Sequence, residues 1–137
     1  MKKQVLLMVF SAVVIFQACR PAAQSAKKSE AEPNITYTCA GNEPFWSLQI
    51  NNKEIVFNHM DMGKTVYPYQ APSMQGDTKI FSTASNGSRI KITIKNTPCE
   101  DSMSGAAFPF TATVERDADT FTGCAESNLQ PRKGGER

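Results

Sequence analysis

These 137 residues contain one histidine, His59, and one tryptophan, Trp46. A lone histidine would have to serve every nucleophile–histidine pair that could be drawn. Ser102 and Ser104 flank Met103 without the Gly-x-Ser-x-Gly turn that exposes a hydrolase serine. The four cysteines, Cys19, Cys39, Cys99 and Cys124, lack the paired spacing of a zinc site. The apolar run at 5–16 covers 12 residues and is interrupted by Ser11, well short of the roughly 20 that a membrane-spanning helix needs. After residue 18 no stretch sustains a helical period of apolar residues. Charge of one sign is not in excess either. Lys2 and Lys3 account for two of the 15 basic residues, and the remaining 13 meet 13 acidic ones. The basic surplus expected of a nucleic-acid binder is therefore missing.

The beginning of the chain is informative. Two lysines, a 12-residue apolar run and the sequence Phe16-Gln17-Ala18-Cys19 follow one another. An apolar segment of this length matches a secretory signal, whose core runs roughly 7–15 residues. Ordinary cleavage after Ala18 would put the large Phe16 at a position that demands a small residue. Acylation of Cys19 removes that conflict. The segment resembles a bacterial lipoprotein signal peptide with its lipobox, although Phe16 stands where leucine is usual. The resemblance implies removal of residues 1–18 and a palmitate-bearing Cys19 as the first mature residue. It also implies attachment by several acyl chains, which anchor firmly where one holds only marginally. Arg20, rather than aspartate, follows the cysteine. This resembles the default that sends lipoproteins to the outer membrane, facing the periplasm.

Residues 19–33 include no large apolar side chain. They cannot bury enough surface to offset chain entropy, so they read as a flexible tether. Residues 131–137 read as a solvated tail. Between them, residues 34–130 suffice for one domain with a modest core. That domain reads as all-β. Ile90, Ile92 and Ile94 alternate with polar residues, as do Trp46, Leu48 and Ile50, then Ile55 and Phe57, then Phe108, Phe110, Ala112 and Val114. Period-two alternation places each set on one face of a strand. Asn51-Asn52, Asn86-Gly87 and Asp117-Ala118-Asp119 supply turns. Segments 35–39 and 65–69 are weaker strands. Seven or eight short strands predict a small antiparallel barrel or sandwich.

Chemistry-bearing residues are few. In Gly41-Asn42-Glu43-Pro44-Phe45-Trp46, Gly41 and Asn42 supply a turn and Pro44 excludes a central ladder position. Glu43 is either a functional carboxylate or an acceptor for turn N–H groups, and the second is the more ordinary role. His59-Met60-Asp61-Met62 offers imidazole and thioether, which suit copper, with Cys39, Met74 or Met103 as further donors. The plainer reading is a loop whose methionines pack. Asp101 and Glu43 could act as an acid–base pair if the fold brings them together. Export favours disulfides over thiols, and Cys39, Cys99 and Cys124 permit three pairings, each leaving one cysteine over.

Three motifs occur together: Gly41 to Trp46, Cys99-Glu100-Asp101-Ser102-Met103-Ser104, and Gly123-Cys124. In these the chain resembles a family of bacterial envelope lipoproteins, some of whose members are fused to META-type (HslJ-like) β domains. The resemblance spans most of the domain and implies an envelope β domain, with no reaction attached. It implies a Cys99–Cys124 disulfide, since both cysteines lie in the paired motifs, with Cys39 unpaired. The expected function is a non-catalytic envelope module meeting a partner or small ligand through a loop face that holds Glu43, Trp46, Asp101, Ser102, Met103 and Ser104. The competing expectations are a copper- or redox-responsive protein using Cys39, His59, Met60 and Met62, and a small hydrolase using Asp101 and Glu43.

Overall fold

The computed structural model describes residues 34–135. The expected signal peptide, Cys19 and the 19–33 tether lie outside the described residues. The domain is all-β, with β1 (Tyr37–Asn42), β2 (Phe45–Ile50), β3 (Glu54–His59), β4 (Gly63–Pro68), β5 (Ser73–Gln75), β6 (Thr78–Ser85), β7 (Ser88–Lys95), β8 (Cys99–Glu100), β9 (Ala107–Phe108), β10 (Phe110–Arg116) and β11 (Asp119–Ser127). Nine strands form one antiparallel sheet in the order β4-β3-β2-β1-β11-β10-β7-β6-β5, while β8 and β9 pair separately. Eight of the strands have six or more residues and answer to the seven or eight expected. The others, β5, β8 and β9, have two or three, too few for alternation to reveal.

Alternation sets the buried face. Trp46, Leu48 and Ile50 are buried on β2 between exposed Phe45, Ser47 and Gln49. Ile90, Ile92 and Ile94 repeat this on β7, and Ile55, Phe57 and His59 on β3. These side chains form one core with Tyr37, Cys39, Tyr67, Phe81 and Val114, and each large apolar one contributes about 1.5–3 kcal/mol by leaving water. Turn chemistry fixes the registers. Asn51 Oδ1 accepts from the N–H groups of Lys53 and Glu54. Asn86 and Gly87 take φ of 50° and 81°, the left-handed pair that a two-residue hairpin needs.

The sheet curls until β4 approaches β6, with no ladder joining them among the described residues. Side chains bridge the gap instead, as where Thr83 Oγ1 donates to the Pro68 carbonyl at 2.9 Å. One end of this half-barrel carries the β1–β2, β3–β4, β6–β7 and β10–β11 turns. The other carries the β2–β3 turn and the entry of the chain at residue 34. There the side chain of Asn128 ties down Thr36 N–H and the Asn34 carbonyl, both at 3.0 Å.

On the outer face, β8 and β9 lie against β11 and make a second small core of Ala106, Phe108, Cys124 and Cys99. The segment expected as a solvated tail departs from that reading at Lys133, whose N–H and carbonyl pair with Ala107 at 2.8 and 2.9 Å. Arg132 lies over the Phe108 ring, 5.5 Å from its centroid. Backbone pairing of this kind needs no apolar side chain, so composition carried no sign of it.

Candidate functional site

Glu43 and Pro44, joined by a cis peptide bond, form the two-residue turn between Asn42 and Phe45. Trp46 faces the core, and its indole N–H crosses Gly41 to donate to the Thr122 carbonyl at 3.3 Å. Only glycine permits this crossing: a Cβ at Gly41 would stand 2.2 Å from Trp46 Nε1 and 2.5 Å from Thr122 O. A Cβ at Gly123 would meet the Ala40 carbonyl oxygen at 2.0 Å. The β1–β11 ladder stops at Ala40 and Cys124, where the indole takes over a carbonyl that the ladder no longer uses. Gly41, Trp46 and Gly123 are thus one packing unit, and Trp46, expected as a recognition residue, is buried within it.

The 99–105 loop is pinned by the Cys99–Cys124 disulfide, whose Cα atoms are 5.5 Å apart. Asp101 organises the rest. Its carboxylate accepts from Ser104 N–H at 3.0 Å, from Ser104 Oγ, and from Asn42 Nδ2 on the neighbouring turn. These hydrogen bonds, the Ser104 hydroxyl first and Asn42 next, hold its pKa down at about 2. The loop closes through Asp101 N–H to Ala106 O at 2.9 Å and Gly105 N–H to Asp101 O at 2.8 Å, with Gly105 at φ 65°. Between this loop and the β1–β2 turn runs a groove of about 250 Å³, bordered by Gly41, Asn42, Glu43, Asp101, Ser102 and Gly123. The fold therefore does bring the two loops together. Their carboxylates differ in role. Asp101 is committed to the loop, whereas Glu43 is exposed and finds no hydrogen-bond or ionic partner among the described residues. Glu43 is not the turn acceptor it was expected to be, because its backbone neighbours are satisfied by the hairpin ladder. Ser102 and Met103 are also exposed. An acid–base pair for hydrolysis would want one carboxyl raised toward neutrality, and Asp101 is shifted the other way.

The soft-metal candidates do not converge. Cys39 is fully buried in the core, and burial pushes its thiol up to about 12, which leaves it protonated and inert. His59 is two strands away and two residues further along in register. Its ring lies against Phe57 and Phe121, at centroid distances of 6.4 and 5.2 Å. His59 Nδ1 accepts the Asp61 N–H at 3.1 Å, so in the neutral ring the proton sits on Nε2. That atom is buried without a hydrogen-bond partner among the described residues. Met60 follows on the opposite, outer face and is strongly exposed. Met62 Sδ accepts from Arg116 at 2.9 Å. Among the described residues, no group of three or more His, Cys, Asp or Glu side chains could hold a metal.

One chain of polar contacts escaped sequence reading. Arg116 Nε donates to Tyr67 Oη at 2.9 Å, Tyr67 Oη meets Ser88 Oγ at 2.9 Å, and Ser88 Oγ donates to Asp117 at 2.7 Å. Serine has one proton and gives it to Asp117, so Tyr67 donates to Ser88 and accepts from Arg116. The Ser88 hydroxyl is the first cause holding Asp117 below its usual range, followed by the Arg89 N–H. The available signal was parity: Arg116 continues the inward series of Phe110, Ala112 and Val114.

Comparison with protein families, with curated proteins and with solved structures gives no match to this chain.

Proposed function

We propose that this chain is a bacterial cell-envelope lipoprotein. In this reading it is acylated at Cys19, held by the 19–33 tether at the outer membrane facing the periplasm, and its β domain is a non-catalytic binding or structural module. The observation that carries the proposal is the Cys99–Cys124 bridge. Disulfides persist in exported proteins and are rare in reducing compartments, which fits the lipobox-like segment ending at Cys19. The resemblance to envelope lipoproteins in the Gly41–Trp46, 99–104 and Gly123-Cys124 motifs points the same way.

A binding role is supported by the division of labour in the groove. Asp101 and Ser104 satisfy the loop, while Glu43 and Ser102 face solvent beside it with no structural duty. Loops carried on a rigid β scaffold are a common place for recognition. The partner is an envelope protein or a small ligand. Copper is not part of this reading, since Cys39, His59, Met60 and Met62 point apart. Hydrolysis is not part of it either, since Asp101 is locked in hydrogen bonds.

The test is the Cys19→Ser variant followed by labelled-palmitate incorporation and membrane fractionation. Loss of label and release from the membrane fraction are expected. Unchanged labelling and fractionation would overturn the assignment.

A further inference from the structure

We infer that the open end of the curled sheet binds a small amphipathic carboxylate, with Lys79 as its counter-charge. This deepens the binding-module reading by naming a ligand class, at the end of the domain opposite the Glu43 groove, and it does not depend on the lipid anchor.

The two ends of the half-barrel differ. At one, Arg116 reaches across the gap to Tyr67 and Thr65 and closes the seam. At the other, a cavity of about 260 Å³ opens between the start of β1, the β2–β3 turn, the β4–β5 connection and the start of β6. Three aromatic rings form one part of its wall. Tyr37 and Phe81 meet edge to face at 6.0 Å, and Tyr69 lies 6.3 Å from Phe81. Ile35 adds an aliphatic side. Such walls favour a flat or short apolar body.

Lys79 supplies the polar end. It sits on β6 opposite the buried Ile94 and shares the inward parity of Phe81. It is half-buried and lines the cavity. The ion pairs of the described residues are Lys91–Glu115 and Arg132–Glu126, and among those residues no carboxylate pairs with Lys79. A half-buried lysine lining a cavity beside three aromatic rings, with no counter-ion among the described residues, matches an anion brought by a ligand. Asn52 at the rim offers an amide to the same headgroup. The volume lies just under the roughly 300–1,000 Å³ of pockets for drug-sized ligands, so the occupant is a one-ring or short-chain acid.

The experiment is calorimetric titration of the purified full-length chain with phenylacetate and hexanoate, each compared with its neutral amide. Saturable binding of at least one acid is expected, with its amide weaker by about tenfold or more, the loss that follows when a charged hydrogen bond is removed. Lys79→Met is expected to erase the acid–amide difference, and Lys79→Arg to retain it. Failure of both acids to saturate, or equal binding of acid and amide by the unmodified chain, would overturn the proposal without need of a variant. The rival role for an inward lysine near the short edge strand β5 is to prevent strand pairing between molecules. Self-association of Lys79→Met with unchanged acid affinity would establish that role and overturn this one. The palmitate experiment on Cys19→Ser reports on the anchor alone, so failure there and failure here are distinguishable.

Discussion

Asp101 and Glu43 look alike in the sequence and face the same groove, yet they do different work. Asp101 accepts from Ser104 and Asn42, so its removal strands those donors and unties the loop from the β1–β2 turn. Its pKa is lowered from 3.8 to about 2 by those hydrogen bonds. A carboxylate with a depressed folded-state pKa adds stability that is present above the unfolded value and disappears as pH falls through the folded one. Thermal melts of Asp101→Ala should therefore start several degrees lower than the unmodified chain at neutral pH. The gap should narrow as pH falls from about 4 to about 2. Glu43→Ala should melt within about 0.5 kcal/mol of the unmodified protein, as an exposed, unpartnered side chain does. If Glu43→Ala proves as damaging as Asp101→Ala, Glu43 loses its standing as the residue left free for recognition.

At the scale of elements, β8 and β9 are two-residue strands that no propensity would support alone. They hold their place because Cys99 is bonded to Cys124 and because Ala106 and Phe108 bury against β11. The bridge closes a loop of 25 residues, for which the chain-entropy account gives about 3 kcal/mol. The double variant Cys99→Ala/Cys124→Ala should lose about that much in denaturant unfolding. Hydrogen exchange should accelerate first at Asp101 and Ala107, whose N–H groups bond to Ala106 and Lys133, while β2, β7 and β10 stay protected. Uniform acceleration across the main sheet would show instead that the arm is part of the global folding unit. The long strands were readable beforehand because each buries one face, and the alternation of Ile90, Ile92 and Ile94 records it. The arm was not readable as structure, since two residues cannot display a period.

For the whole molecule, closure of the sheet is a side-chain matter. Arg116 links β10 to β4 through Tyr67 and Thr65 and to the β3–β4 turn through Met62, and its guanidinium lies over Phe57, 5.6 Å from the ring centroid. Arg116→Met keeps much of the stem but removes every donor. It should cost about 1–3 kcal/mol, chiefly because Tyr67 and its partners are left under-satisfied. It should also raise hydrogen exchange in β4, an edge strand laddered to β3 alone and otherwise tied by this network and the Thr83–Pro68 hydrogen bond. Full protection of β4 in that variant would mean that packing of Tyr67 in the core closes the seam without the arginine.

The sequence by itself determined the all-β class, the inward faces of the long strands and the main turns. Each of these follows from local periodicity or from backbone preferences of Asn, Gly and Pro, which act within a few residues. It also marked the 41–46, 99–104 and 123–124 motifs, without their mechanics. Only the tertiary structure decided that Gly41 and Gly123 are glycines because the Trp46 indole and the Ala40 carbonyl occupy the space of a side chain. It alone separated Asp101, the organiser of its loop, from free Glu43, dispersed the copper candidates to opposite faces, and set the direction of curl that closes one end with Arg116 and leaves the other open beside Lys79. Those outcomes depend on which strands become neighbours, and β11 reaches β1 across more than eighty residues of chain, roughly the whole domain. No local pattern records a pairing at that distance, because its stability comes from contacts that exist only after the sheet has closed.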